Sequence, residues 1–101
     1  MTAWISAPAK RDLDNIWSYL ARESQSIVIA DAMIASIEEH FSMIVRSPDI
    51  GRPRDEIEPG LRSFPVGNYL IYYRERGSRV VLSRVIHGMR DQKSAFFQRP
   101  H

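Results

Sequence analysis

The stretch Gly60-Leu61-Arg62-Ser63-Phe64-Pro65-Val66-Gly67-Asn68-Tyr69-Leu70-Ile71-Tyr72-Tyr73 decides how this chain is read. Residues 61–66 and 69–74 read as two strands, and Gly67-Asn68 between them is a two-residue signal for a tight hairpin. Downstream, Gly77-Ser78 marks a second turn and residues 79–87 a further strand rich in Val and Leu. Gly88 ends that strand, and residues 89–99 form a tail with a short helix expected around Ala95-Phe96-Phe97. Upstream, Pro48, Gly51, Pro53, Pro59 and Gly60 fill residues 47–60, a composition that excludes regular structure.

Before that loop the apolar period changes from two to helical. Leu13, Ile16, Trp17 and Leu20 recur at helical spacing over residues 9–23, with Pro8 suited to a first turn and Asp12 and Asp14 placed near the positive helix end. Ser24-Gln25-Ser26 breaks the pattern and offers an N-cap for a second helix, whose Ala30, Ile34, Ile37, Phe41 and Ile44 share a face until Ser47-Pro48. So short a turn predicts an antiparallel helical hairpin. With Trp4-Ile5-Ser6 as an opening strand, the order is β-α-α-β-β-β. This is an α+β fold, a helical hairpin packed on one face of a mostly antiparallel sheet, in a single domain over residues 1–101.

Composition supports a folded domain: 101 residues, 44% hydrophobic and 26% charged. No apolar run is long enough for a membrane span, and no signal peptide is evident, so a cytoplasmic protein with no membrane partner is expected. The absence of Cys excludes disulfides, cysteine metal sites and thiol nucleophiles. Charge is divided along the chain. Residues 1–45 hold three basic and six acidic residues, whereas residues 46–101 hold eleven basic, ten of them Arg, and six acidic. An arginine-rich half suits an acidic partner, and a GC-rich genome produces the same bias.

Phosphate-loop, zinc-protease, nucleophile-elbow and calcium-loop motifs are all missing. His40, His87 and His101 are dispersed, so no metal or organic cofactor is expected. His40 sits mid-helix beside Glu39, where a solvated role is the default, and His101 is the terminal residue. His87, closing a strand beside Gly88, alone has a position suited to acid–base work; a structural role is weighed against it. Arg52 and Arg54 lie among Asp55, Glu56 and Glu58, where internal ion pairing is expected. Strand parity sets Arg84 with Leu82 and Ile86, and His87 with Val85 and Ser83, on opposite faces unless a bulge intervenes. Tyr69, Tyr72 and Tyr73 are read as core or sheet surface before base-stacking groups.

Several motifs now align. Ala9-x-x-Asp12-Leu13-x-x-Ile16, Ala30-Asp31, Pro48-x-x-Gly51-Arg52-x-Arg54-x-Glu56, the hairpin stretch quoted above and Arg84-Val85-Ile86-His87-Gly88-x-Arg90-Asp91 together resemble the ParE/RelE toxin superfamily. The closing motif resembles the ParE branch. The resemblance implies the fold just read and the toxin half of a type II toxin–antitoxin pair, with a cognate antitoxin as partner. It implies DNA gyrase as target, reached by binding and not by catalysis. The RelE branch implies the alternative of a ribosome-dependent mRNA endoribonuclease, with His87 as its catalytic candidate. Tyr69 stands where several RNA-cleaving members place an arginine, and no Tyr follows His87. A non-toxic partner-binding module is the third reading. Arg62, Arg84, His87 and Arg90 are the expected target-binding residues; Trp17, Leu20, Ile34 and Phe41 are expected to receive the antitoxin.

Overall fold

The computed structural model describes residues 2–100. Its elements are β1 (Thr2–Ile5), α1 (Ala7–Ser24), α2 (Ile27–Arg46), a 3₁₀ turn (Pro48–Ile50), β2 (Arg52–Pro53), β3 (Arg62–Val66), β4 (Tyr69–Arg76), β5 (Arg79–His87) and α3 (Gln92–Phe97). The five strands lie in the order β1-β5-β4-β3-β2. All neighbours are antiparallel except β1, which runs parallel to β5. The α+β expectation holds, with a short extra strand and a 3₁₀ turn inside the loop that had been expected to lack regular structure. His101, the terminal histidine of the sequence, lies outside the described residues.

Local chemistry sets the helix ends. Ser6 caps α1 by accepting from the Ala9 N–H at 3.2 Å, and Ser26 caps α2 through the Ile29 N–H at 3.2 Å. Between the helices Gln25 takes a left-handed conformation (φ 56°), which turns the chain back on itself. The helix therefore begins two residues before the period suggests. Asp12 is then no first-turn acid facing the helix dipole; it lies one turn further in, on the buried face with Ala9 and Ile16. Gly67 (φ 57°) and Gly77 (φ 60°) supply the positive φ that opens each hairpin turn.

Two cores form, one on each face of the sheet. Ile16, Ile37, Phe41 and Ile44 from the helices bury against Ile71, Tyr73, Val80, Leu82 and Val85. Burying each such aliphatic side chain stabilises by roughly 1.5–3 kcal/mol. On the opposite, outer face Ile57, Leu61, Tyr72, Ile86 and Ala95 make a smaller cluster under α3. The loop before β3 is tied down by Tyr73, whose hydroxyl donates to the Pro48 carbonyl at 2.7 Å and accepts from the Gly51 N–H at 2.8 Å. No helix of the described residues is long and apolar enough to cross a membrane.

One irregularity reorganises β5. Tyr73 pairs with Leu82 while Tyr72 pairs with Arg84, so Ser83 is an extra residue in the ladder. This bulge resets the alternation, and both Leu82 and Val85 face the helices.

Candidate target-binding cleft

The pairing of β1 with β5 stops at Ile5 and Leu82. Beyond it the edge of β5 is taken over by α1. Ser6 Oγ donates to the Ser83 carbonyl at 3.0 Å, and the Asp12 carboxylate accepts the Val85 N–H at 2.9 Å. The same carboxylate holds Arg84 through two bonds, Nε–Oδ2 at 2.7 Å and Nη2–Oδ1 at 2.9 Å. Arg84 Nη1 then donates to the carbonyls of Ala95, Phe96 and Gln98 at 2.9, 2.8 and 2.8 Å. One guanidinium thus fastens α1, β5 and the C-terminal segment together. Arg84 is 5% exposed and Asp12 6%. This corrects the expectation that Arg84 meets a target: its donors are used inside the fold.

Beside this node lies a cleft of about 480 Å³ between α1, the end of β5 and residues 98–100. Asn15 and Tyr19 line it from α1, Tyr69 and His87 from the sheet, and Arg90 and Arg99 from the chain that follows. Tyr69 meets His87 edge-on, with ring centroids 5.2 Å apart. Burial pushes the Tyr69 phenol above its ordinary value of 10.0, and Tyr19 adds to the effect, so the hydroxyl is neutral at physiological pH. The Met89 N–H donates to His87 Nδ1 at 3.1 Å, which assigns the neutral ring's proton to Nε2. His87 therefore offers the cleft a donor. Arg90 is exposed at the mouth and donates to Gln98 Oε1 at 2.6 Å.

The remaining expected residues are scattered. Arg62 lies away from this cleft and donates to the carbonyls of Asp49 and Gly51 at 3.3 and 2.7 Å, bracing the loop before β2. Trp17 is half-buried, its indole N–H bonded to Asp31 Oδ1 at 2.7 Å, and Leu20 and Ile34 are half-buried against the helix-side core. Phe41, expected on an antitoxin surface, is 5% exposed and belongs to the core, because the five strands reach far enough to cover it. The large apolar side chains left exposed on the hairpin are Tyr19, Ile27, Val28 and Ile29. His40 is half-buried, its Nδ1 donating to the Ser36 carbonyl at 2.7 Å. No cluster of three or more acidic or histidine residues among those described is arranged to hold a metal.

A sequence profile described as the ParE toxin of the type II toxin-antitoxin system, parDE, matches residues 5–92. The chain belongs to the ParE toxin family. It is 33% identical over 81 residues to Toxin ParE3 of Caulobacter vibrioides, covering 80% of each chain. It is 35% identical over 83 residues to Toxin ParE1 of the same organism, covering 82% of this chain and 84% of that one. Its fold matches a chain of the chromosomal ParDE TA system from P. aeruginosa at TM-score 0.75, with 19% identity, 86% of this chain and 95% of that chain covered.

In this ParE-family chain the residue whose part in shaping the cleft was not read from the sequence is Asp12. A signal was present: Ala9, Asp12 and Ile16 fall at i, i+3 and i+7, so an acid lay on the apolar face of the first helix and needed a buried cation. That cation lies 72 residues away. Nothing local to either residue names the other.

Proposed function

We propose that this ParE-family chain is the toxin of a type II pair, that it arrests growth by binding DNA gyrase in the cytoplasm, and that a cognate antitoxin neutralises it. The observation that supports a binding mode over a catalytic one is the state of Arg84. An acid–base site that cuts RNA uses cations close to its acid–base group for the phosphate. Here Arg84 is committed to Asp12 and three carbonyls, and His87 Nδ1 is held by the Met89 N–H. The cleft with His87, Tyr69 and Arg90 is the surface offered to the target. The half-buried Trp17, Leu20 and Ile34, continued by the exposed residues of the hairpin tip, are the surface offered to the antitoxin.

One observation favours the endoribonuclease reading: Arg84, His87 and Arg90 all line a single cleft, although Arg84 and His87 lie on opposite faces of β5. The experiment that separates the two adds purified protein to a gyrase supercoiling reaction and to a cell-free translation extract. Inhibited supercoiling with unimpaired translation is expected, and His87→Ala should keep partial toxicity. General acid–base groups contribute roughly 10²–10⁴-fold, so message cleavage by the wild type and complete loss of toxicity in a folded His87→Ala protein would reverse the assignment.

A further inference from the structure

The outer face of the sheet carries a second surface, remote from the His87 end of β5. Arg76 stands directly opposite Arg79 across the β4–β5 ladder, and Arg74 stands opposite Val81. Like charges directly opposite one another destabilise a sheet. Only Arg74 of the three has an acidic partner among the described residues, Glu58 at 2.8 Å. Arg79 instead stacks on Trp4, its guanidinium carbon 4.0 Å from the ring centroid. Stacking leaves the in-plane N–H groups of the fork free for oxygen acceptors. Trp4 is 50% exposed although it is one of the two largest apolar side chains in the protein. Next to this array runs a groove of about 320 Å³ with Arg76 and the Arg74–Glu58 pair on its wall and Val81, Ser83 and the half-buried Phe96 along it. That volume is at the lower end of the range in which small ligands are enclosed.

From this arrangement we infer that the groove and the Arg76–Arg79–Trp4 platform bind a segment of single-stranded nucleic acid. Arginines without carboxylate partners supply phosphodiester contacts, and the half-exposed Trp4 supplies a face on which an unstacked base rests. An acidic protein segment would find the charge but make less use of an exposed indole beside the arginines. A duplex would find the charge but keep its bases stacked and out of reach of that ring. The inference is independent of the target of the His87 cleft, and the supercoiling assay and the binding assay below succeed or fail separately.

The test is fluorescence anisotropy of the full chain with a labelled oligo-dT strand, titrated at several salt concentrations. Two phosphate contacts, from Arg76 and Arg79, predict a log–log salt slope of about −1.4, so affinity should fall about sevenfold between about 50 and about 200 mM salt. Arg76→Glu/Arg79→Glu should weaken binding at least about tenfold, and Trp4→Ala about fivefold or more. Arg76→Gln/Arg79→Gln removes the charge without adding repulsion and should weaken binding in the same direction. Circular dichroism melts check that all variants are folded. Matched oligo-rU binding with a similar slope supports the same surface. No binding at the lowest salt, or binding unchanged in folded charge-removed variants, overturns the inference. So does equal competition by poly-glutamate, which would indicate an acidic protein partner, or tighter binding of a duplex of equal length.

Discussion

Asp12→Ala should be the most damaging single substitution of a charged residue in this chain. Removing one member of a buried ion pair typically costs about 3–5 kcal/mol, because the remaining charge stays buried without compensation. Here the lost carboxylate also strands the Val85 N–H, which bonds to Asp12 Oδ2 at 2.9 Å. A domain of this size commonly has about 5–15 kcal/mol in total, so a fall in melting temperature of about 15–35 °C is expected. Urea unfolding of the purified protein, followed by circular dichroism, measures the loss directly. The double variant Asp12→Leu/Arg84→Met sharpens the reasoning. Replacing both members of a buried pair by apolar residues is often neutral or stabilising. In this protein the guanidinium also serves the Phe96 and Gln98 carbonyls at 2.8 Å each, so those contacts go with it. The double variant should therefore recover part of the loss and stay about 1–3 kcal/mol below wild type. A double variant as stable as wild type would refute the claim that Arg84 fastens the C-terminal segment. An Asp12→Ala protein within about 1 kcal/mol of wild type would remove the whole argument.

Gly51→Ala should destabilise by about 1–3 kcal/mol, since a Cβ there would run into the Tyr73 hydroxyl and ring, with a compensating shift of that buried side chain. A calorimetric melt unchanged within error would show that the loop yields freely. Burial raises the pKa of Tyr69, Tyr72 and Tyr73 above the ordinary 10.0, the last two against the opposing influence of nearby arginines. The folded state thus binds protons that the unfolded chain has released, so stability is complete below pH 10 and declines as pH rises above it. Urea midpoints that stay level from pH 9 to pH 11.5 in a constant-ionic-strength buffer would contradict that sign.

The hairpins were legible because their signals are local. Gly67-Asn68 and Gly77-Ser78 announce turns by residue type, and the strands around them keep period two. The helices were legible in the same way, with Ser26 recognisable as a cap. The bulge at Ser83 was not, because Leu82-Ser83-Arg84-Val85 carries no residue that demands one. What accompanies it is tertiary, the bonds of Ser6 and Asp12 along the edge of β5 that β1 leaves open. The outer-face core under α3 was missed for a related reason: Ala95 and Phe96 are too few to show a period, and only their position over Tyr72 and Ile86 makes them a cluster. Of the candidate site, His87 and Arg90 could be placed at one end of the sheet from sequence. Arg84 could not be assigned to the interior, since the acid that holds it lies on the first helix.

The parallel seating of β1 beside β5 fixes when during synthesis this molecule can become complete. The first strand finds its neighbour only in Arg79–Leu82, and Asp12 finds its cation only in Arg84. Until those residues have left the ribosome, the helical hairpin has no full sheet to lie on and the cleft beside His87 lacks its far wall. The seam that closes the sheet is assembled from residues 2–12 and residues 79–85, far apart in the sequence. Contacts of such long sequence separation form late and slowly compared with local hairpins and helices. The two hairpins, helical and β, therefore take shape before the seam that joins residues 2–12 to residues 79–85 can close.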